Sequence, residues 1–371
     1  MVLIAGLIGV RLAPDESLST LPYAMVVIGT ACAAIPAAMI MSKIGRKKGV
    51  YLGLCIALFA TVLAIHAINT DQFWPFVMAS FLFGTNAAFA QQGRFIILEN
   101  ARNEKEQADG LTLALLANLV AAFLGPWMGL FGRELHHALD ASMMPFTGSF
   151  LLLLVMLTLA GIGLMRYQEV PLSEEQGGGA ERSLKDILCQ RGFIIASGSA
   201  AFGFAIMAFV MTATPVSMNQ LQGHGLDHTT WVIQSHIVAM FLPSLITGRL
   251  LKQGLRHSLI VTGFLIYLVM VIVASTGQHV MHYWWALVLL GLGWNLIFMT
   301  STTLLGHTHS PSEKFKVQAA NDFLVFSFQA IAAFSAGFVL FSFGWSSVVL
   351  TALTLTTLWL VVLGVAGRNR Q

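Results

Sequence analysis

Charge is scarce in this sequence: Lys and Arg total 20 and Asp and Glu 17 in 371 residues, so only 10% of the chain is charged. The net charge of +3 provides no basic field that would attract nucleic acid. Cysteine is almost missing too. Cys32, Cys55 and Cys189 lie far apart, two of them inside apolar runs, which excludes a disulfide framework and a zinc site and leaves thiols that act as small apolar fillers. There is no nucleophile motif and no pair of catalytic carboxylates. The one glycine-rich stretch, QGGGAE at 176–181, lacks the preceding strand and the following Lys-Ser/Thr of a phosphate loop. An ATP-driven pump is therefore disfavoured, no cofactor is implied, and nothing points to an enzyme.

What is present is apolar surface. Hydrophobic residues make up 56% of the chain, with 26 Phe and 17 Met, and the mean hydropathy is +0.76. A soluble core cannot bury that much, so the natural solvent is a lipid bilayer. Crossing about 30 Å of hydrocarbon at about 1.5 Å per residue takes roughly 20 apolar residues. Eleven runs of that kind stand at 18–41, 50–68, 73–96, 110–131, 145–165, 192–216, 230–251, 257–276, 283–305, 317–342 and 345–366. A shorter one opens the chain and stops at Arg11. It has no cationic leader and no small-residue cleavage site, so it reads as the outer half of a first helix in an N-terminally truncated twelve-helix protein.

Orientation follows from the cations. With the end of the second span placed inside, 18 of the 20 Lys and Arg residues fall on the cytoplasmic side, and only Arg11 and Arg133 fall outside. The positive-inside rule then places the C-terminal GRNRQ in the cytoplasm.

An internal repeat organises the spans. GTNAAF at 84–89 returns as GWNLIF at 293–298, and DGL at 109–111 returns as DFL at 322–324, with offsets of 209 and 213 residues. This predicts an all-α membrane protein of two pseudosymmetric six-helix halves, 1–167 and 192–371, joined by a polar, Gly-rich cytoplasmic linker at 168–191. Parallel repeats of this kind hold a solute site between the halves near the bilayer midplane.

The loop after the second span carries a further signature. Ala38, Ser42, Lys43, Gly45, Arg46 and Lys47 are spaced in a way that resembles the Gly-x-x-x-Asp-Arg-x-Gly-Arg-Arg/Lys motif of the major facilitator superfamily, with an echo in GRLLKQG at 248–254. The resemblance covers the chain from Arg11 onward and implies a bacterial inner-membrane secondary transporter that works by alternating access. Ser42 stands where the superfamily has an acid and Ala38 where it has Gly, so the usual cytoplasmic clamp is altered. The resemblance leads us to expect a gate in which Lys43 or Arg46 pairs with Asp322, and Arg249 or Lys252 with Asp109. Asp322 is expected near the start of its helix, where the helix dipole would also favour it. AAFLGPWMG at 121–129 is similar to the superfamily's proton-coupled exporter motif and points to proton-coupled efflux. Gly125, Pro126 and Gly129 are equally suited to plain helix packing, and the direction of transport stays open.

Polar groups in hydrocarbon are costly, which makes each one a candidate for solute contact. Asn86 and Asn295 form the pseudosymmetric pair; Met299 shares the Asn295 face; Asn118 and Gln329 lie at similar depth. The competing role for these amides is hydrogen bonding between helices. His236 is the histidine well inside a span and a candidate for solute or proton, whereas Gln234 points about 200° away from it on the same helix. No carboxylate lies near mid-membrane. His136, His137 and Asp140 in an outer loop read as solvated rather than as a metal site. With amides, Met, Thr302, Trp294 and Phe298 as lining, the expected solute is a small organic molecule, apolar or zwitterionic, with protons as the coupling ion. The chain is expected to be a monomer in the lipid bilayer. The rival is a non-transporting sensor or assembly protein on the same fold.

Overall fold

The computed structural model describes residues 2–91, 146–166, 182–252, 255–310 and 313–368, with scattered positions between 117 and 144. The chain divides into two compact units, Met1–Glu174 and Glu175–Gln371. Every regular element in the described residues is helical.

The first unit contains α1 (Val2–Leu12), α2 (Leu21–Ile44), α3 (Arg46–Asn69), α4 (Phe73–Gln91) and α5 (Thr147–Met165). These helices are apolar around most of their circumference, the pattern of a span rather than of a surface helix. Their inner faces meet in a core built on Ile8, Leu21, Ala64, Phe76, Phe83 and Phe150. The crossing of α2 and α4 needs glycine on both sides. A Cβ on Gly29 would strike the Phe81 carbonyl, and one on Gly84 would strike the Val26 carbonyl. At the same crossing Thr30 Oγ1 donates to the carbonyls of Val26 at 2.9 Å and Gly84 at 3.1 Å. Small residues permit this approach, and in lipid, close van der Waals packing is what holds helices together.

The second unit contains α6 (Leu184–Leu188), α7 (Arg191–Val216), α8 (Leu226–Phe241), α9 (Ser244–Lys252), α10 (Arg256–Ser275), α11 (Val280–Leu305), α12 (Lys314–Phe343) and α13 (Trp345–Arg368). The centre is α7, buried along most of its length against α11, α12 and α13. The partner of that packing is the α10–α11 pair, where Gly263 and Gly293 bring backbone against backbone and Tyr267 Oη donates to the Gly203 carbonyl at 3.1 Å.

Ten helical stretches among the described residues are long and apolar enough to cross a membrane. They correspond to ten of the eleven expected spans; the expected span at 110–131 falls mostly outside the described residues, although those described between 117 and 135 are helical. The outer faces are apolar as well: Phe59 is 61% exposed, Met165 67%, Ile331 67% and Val361 60%. On a soluble protein such faces would aggregate, whereas in a bilayer they are the lipid contact.

The span read as continuous over 230–251 is broken. Helix α8 ends at Phe241, Leu242 and Pro243 form a turn, and α9 begins at Ser244. Proline is the cause, because it has no N–H for the preceding turn and its ring clashes with the carbonyl there.

A large side chain at Gly84 cannot be accommodated beside the α2 backbone. Gly84→Leu is expected to abolish the folded protein, read as loss of a monodisperse peak in size-exclusion chromatography. Gly163→Ala in α5, where an added Cβ meets nothing within 4 Å, is expected to leave the peak unchanged.

Candidate functional site

The loop signature is built around one glycine. Gly45 alone separates α2 from α3, at φ 89°, a left-handed value that a side chain would strain. Its N–H donates to the Met41 carbonyl at 3.0 Å, and Gly49 N–H donates to the Gly45 carbonyl at 3.1 Å. Lys47 Nζ donates to the Met165 carbonyl at 3.1 Å. That is the C-terminal end of α5, where free carbonyls and the negative end of the helix dipole attract a cation. Gly344 at φ 79° makes the same one-residue corner between α12 and α13.

Of the expected gate residues, Lys43 and Arg46 lie in the first unit and Arg249 and Asp322 in the second, whereas Asp109 and the Lys252 side chain lie outside the described residues. One expectation is corrected. Helix α12 begins at Lys314, so Asp322 is its ninth residue and is too far along to be explained by the helix dipole. Its Oδ1 accepts from Asn321 Nδ2 at 3.1 Å.

The acid at the start of α12 is Glu313, which sequence reasoning missed. Its side chain is 1% exposed and accepts from Arg182 Nε at 2.7 Å and Nη2 at 2.6 Å, from Arg182 N at 3.0 Å and from Ser310 N at 3.0 Å. Arg182 Nη2 also donates to the Thr308 carbonyl, and Lys316 Nζ donates to the Arg182 carbonyl, both at 3.1 Å. The residues read as the end of a flexible linker are thereby fastened to the start of α12, and Ser183 caps α6 directly behind them. The Arg182 guanidinium holds the Glu313 carboxyl well below the usual carboxylate range. A depressed carboxyl stabilises the folded state above its unfolded pKa and loses that effect only as pH falls through the folded value. This latch therefore stays charged through the physiological range.

The two repeat asparagines differ. Asn295 is 1% exposed and fully engaged: Nδ2 donates to the Met240 carbonyl and to Ser244 Oγ, and Oδ1 accepts from Thr247 Oγ1, each at 2.7 Å. All three partners flank the break at Pro243, so Asn295 splints α8 to α9 and supplies a donor to a carbonyl beside the interruption. Asn86 is half-buried beside Gly53, and its amide makes no hydrogen bond among the described residues. Asn118 lies outside the described residues. His236 is fully buried, and its Nδ1–H donates to the Leu287 carbonyl at 2.7 Å while Nε2 has no partner among the described residues. Among the described residues no three His, Cys, Asp or Glu side chains are grouped as a metal would require.

Aromatic residues collect in the second unit. Trp294 is stacked on Phe298 with centroids 4.7 Å apart and meets Phe204 edge-on at 5.2 Å and Phe241 at 6.2 Å. Phe326 of α12 reaches the same Phe204 at 6.4 Å. Met299 is half-buried next to Phe298, and Gln329, one turn beyond Phe326, is 8% exposed.

A profile described as Major Facilitator Superfamily matches residues 1–333. The chain belongs to the major facilitator superfamily. Among its superfamily relatives, the riboflavin transporter RfnT of Brucella anthropi is 33% identical over 350 residues, which is 94% of this chain and 86% of that protein. The uncharacterized MFS-type transporter YdeG of Bacillus subtilis is 27% identical, over 87% of this chain and 77% of its own. In fold, the chain is similar to the superfamily transporter FucP in its outward conformation, with a TM-score of 0.61 at 14% identity, covering all of this chain and 96% of that one.

Removing the splint leaves the Met240 carbonyl and two hydroxyls without their partner. Asn295→Ala is expected to cost about 1–3 kcal/mol and to lower the thermal unfolding midpoint. Asn86→Ala is expected to leave it unchanged. Equal shifts in the two variants would show that the amides do the same work.

Proposed function

We propose that this superfamily member carries a flavin-type solute across the bacterial inner membrane by alternating access, with protons as the coupling ion and its C-terminus in the cytoplasm. The observation that carries this reading is the 33% identity to a protein named as a riboflavin transporter, spread over 94% of the chain. Three features of the second unit agree with it. The patch around Trp294 and Phe298 is aromatic, Asn295 and Gln329 bring neutral amides to the helices that build it, and among the described residues no charged side chain takes part in its ring contacts. A solute with a wide ring system and neutral polar edges suits that chemistry.

The orientation rests on the cations. In the second unit Arg191, Arg249, Arg256 and Lys314 all stand at helix ends that successive crossings bring to one side. The positive-inside rule makes that side cytoplasmic.

Counterflow into proteoliposomes tests transport without presupposing direction or coupling. Vesicles preloaded with unlabelled riboflavin are expected to accumulate labelled riboflavin above protein-free vesicles, and an absence of accumulation would remove the flavin reading. Topology is tested separately by single cysteines in a background without the native three. In intact cells a membrane-impermeant maleimide is expected to label Gly225→Cys and to leave Lys47→Cys unlabelled, and the reverse pattern would invert the orientation.

A further inference from the structure

The aromatic residues of α7 separate into two layers. Phe202 stacks on Trp359 of α13 at 4.7 Å and lies 5.7 Å from Phe328, on a face that α13 covers. Phe204, two residues on and about 200° around the helix, faces away from that layer. Its neighbours are Trp294 and Phe298 of α11 and Phe326 of α12, and Phe241 of α8 closes on Trp294. Four helices thus contribute to one patch, and none of its rings comes from α10 or α13. The four phenylalanines of the patch are only half-buried.

Two polar side chains on the helices of this patch have no hydrogen-bond partner among the described residues. The indole N–H of Trp294 is buried without a hydrogen-bond partner among the described residues, in a side chain only 5% exposed. Gln329 lies one turn along α12 from Phe326 on the same face, is 8% exposed, and makes no hydrogen bond among the described residues. Asn295, next to Trp294 in sequence, has all its donors engaged. A buried donor left unpaired costs free energy, and the usual compensation at a binding surface is a ligand acceptor.

We infer that this patch is the ring-recognition subsite of the solute: a planar aromatic heterocycle stacks on the phenylalanine rings, while the Trp294 N–H and the Gln329 amide meet its polar edge. The inference rests on the transporter reading above and adds to it which part of the solute is read, and by which residues. Aromatic stacking favours offset or edge-on rings at the spacings found here. A site built to hydrogen-bond a ring edge also discriminates strongly against solutes that lack the matching groups.

The test uses the full-length protein in lipid nanodiscs and the quenching of flavin fluorescence, with riboflavin, lumichrome (the ring system without its chain) and ribitol (the chain alone) as probes. Riboflavin and lumichrome are expected to bind, and ribitol is expected not to compete. Phe298→Leu and Trp294→Phe are each expected to weaken lumichrome about fivefold to tenfold, and Trp285→Phe, on a half-exposed ring outside the patch, is expected to change nothing. Should Trp294→Phe not yield folded protein, Gln329→Leu carries the same expected loss. Riboflavin bound equally well by wild type and by these variants, or displaced by ribitol but not by lumichrome, would overturn the subsite and leave the flavin reading standing. Conversely, a protein that ignores both flavins but binds a pterin, and loses it in the same variants, would keep the subsite and remove the flavin. Binding of none of the aromatic probes would end both.

Discussion

Inside hydrocarbon no water is available to a backbone N–H or C=O, so every interruption of a helix has to be repaired by the protein itself. The second unit meets this constraint at its weakest point. Pro243 breaks a span that length and hydropathy alone would leave whole. The Met240 carbonyl then receives an amide proton from Asn295, Ser244 Oγ accepts the other, and Thr247 returns a hydrogen bond to the Asn295 oxygen. Thr247 N and Ile246 N both find the Pro243 carbonyl at 2.9 Å, so the new helix is nucleated on the residue that ended the old one. The same requirement governs the corners at Gly45 and Gly344, where one residue at positive φ turns the chain and still donates to the helix just completed.

Once those repairs are recognised, the polar residues of the spans fall into two groups. Asn295, Thr30, Tyr267 and Ser217, whose hydroxyl meets Tyr283 Oη at 2.8 Å, all engage other helices. They are glue of the kind that membrane helices use, worth modest energy per bond and valuable chiefly for fixing register. The Trp294 N–H is not spent in this way and is buried without a partner among the described residues, as are the hydroxyls of Thr300 and Ser301 on the same helix. A group that is buried, polar and idle is better evidence of a binding surface than a group that is merely polar and deep.

Much of this was legible in the sequence, for identifiable reasons. Ten membrane-length helices could be read because span length is fixed by bilayer thickness and needs no knowledge of packing. The superfamily could be read because Gly45 and its cations sit at fixed spacing on one short corner. The break at Pro243 was written in the sequence and overlooked, since its neighbours are apolar enough to carry the run through it. The Arg182–Glu313 latch was not legible at all. Its partners are 131 residues apart, one in a stretch that composition marks as linker, and only folding brings them together. Asp322 was misplaced for a simpler reason: α12 extends back through charged residues to Lys314, which a search for apolar runs cuts off.

The internal repeat shows what duplication preserves. Gly84 and Gly293 stand at equivalent positions, and both press against a neighbouring backbone: the carbonyl of Val26 in one unit and that of Gly263 in the other. Any side chain would separate those helices, so both copies hold glycine. Two residues on, the asparagines are under no such shared constraint. Asn295 is committed to a broken helix, and the first unit has no matching break in α2, where Pro36 is accommodated within a continuous helix. The Asn86 amide is therefore not drawn into a splint. A repeat fixes the contacts between backbones and leaves side chains at the same depth to diverge, which lets a pseudosymmetric scaffold bind a solute that has no symmetry of its own.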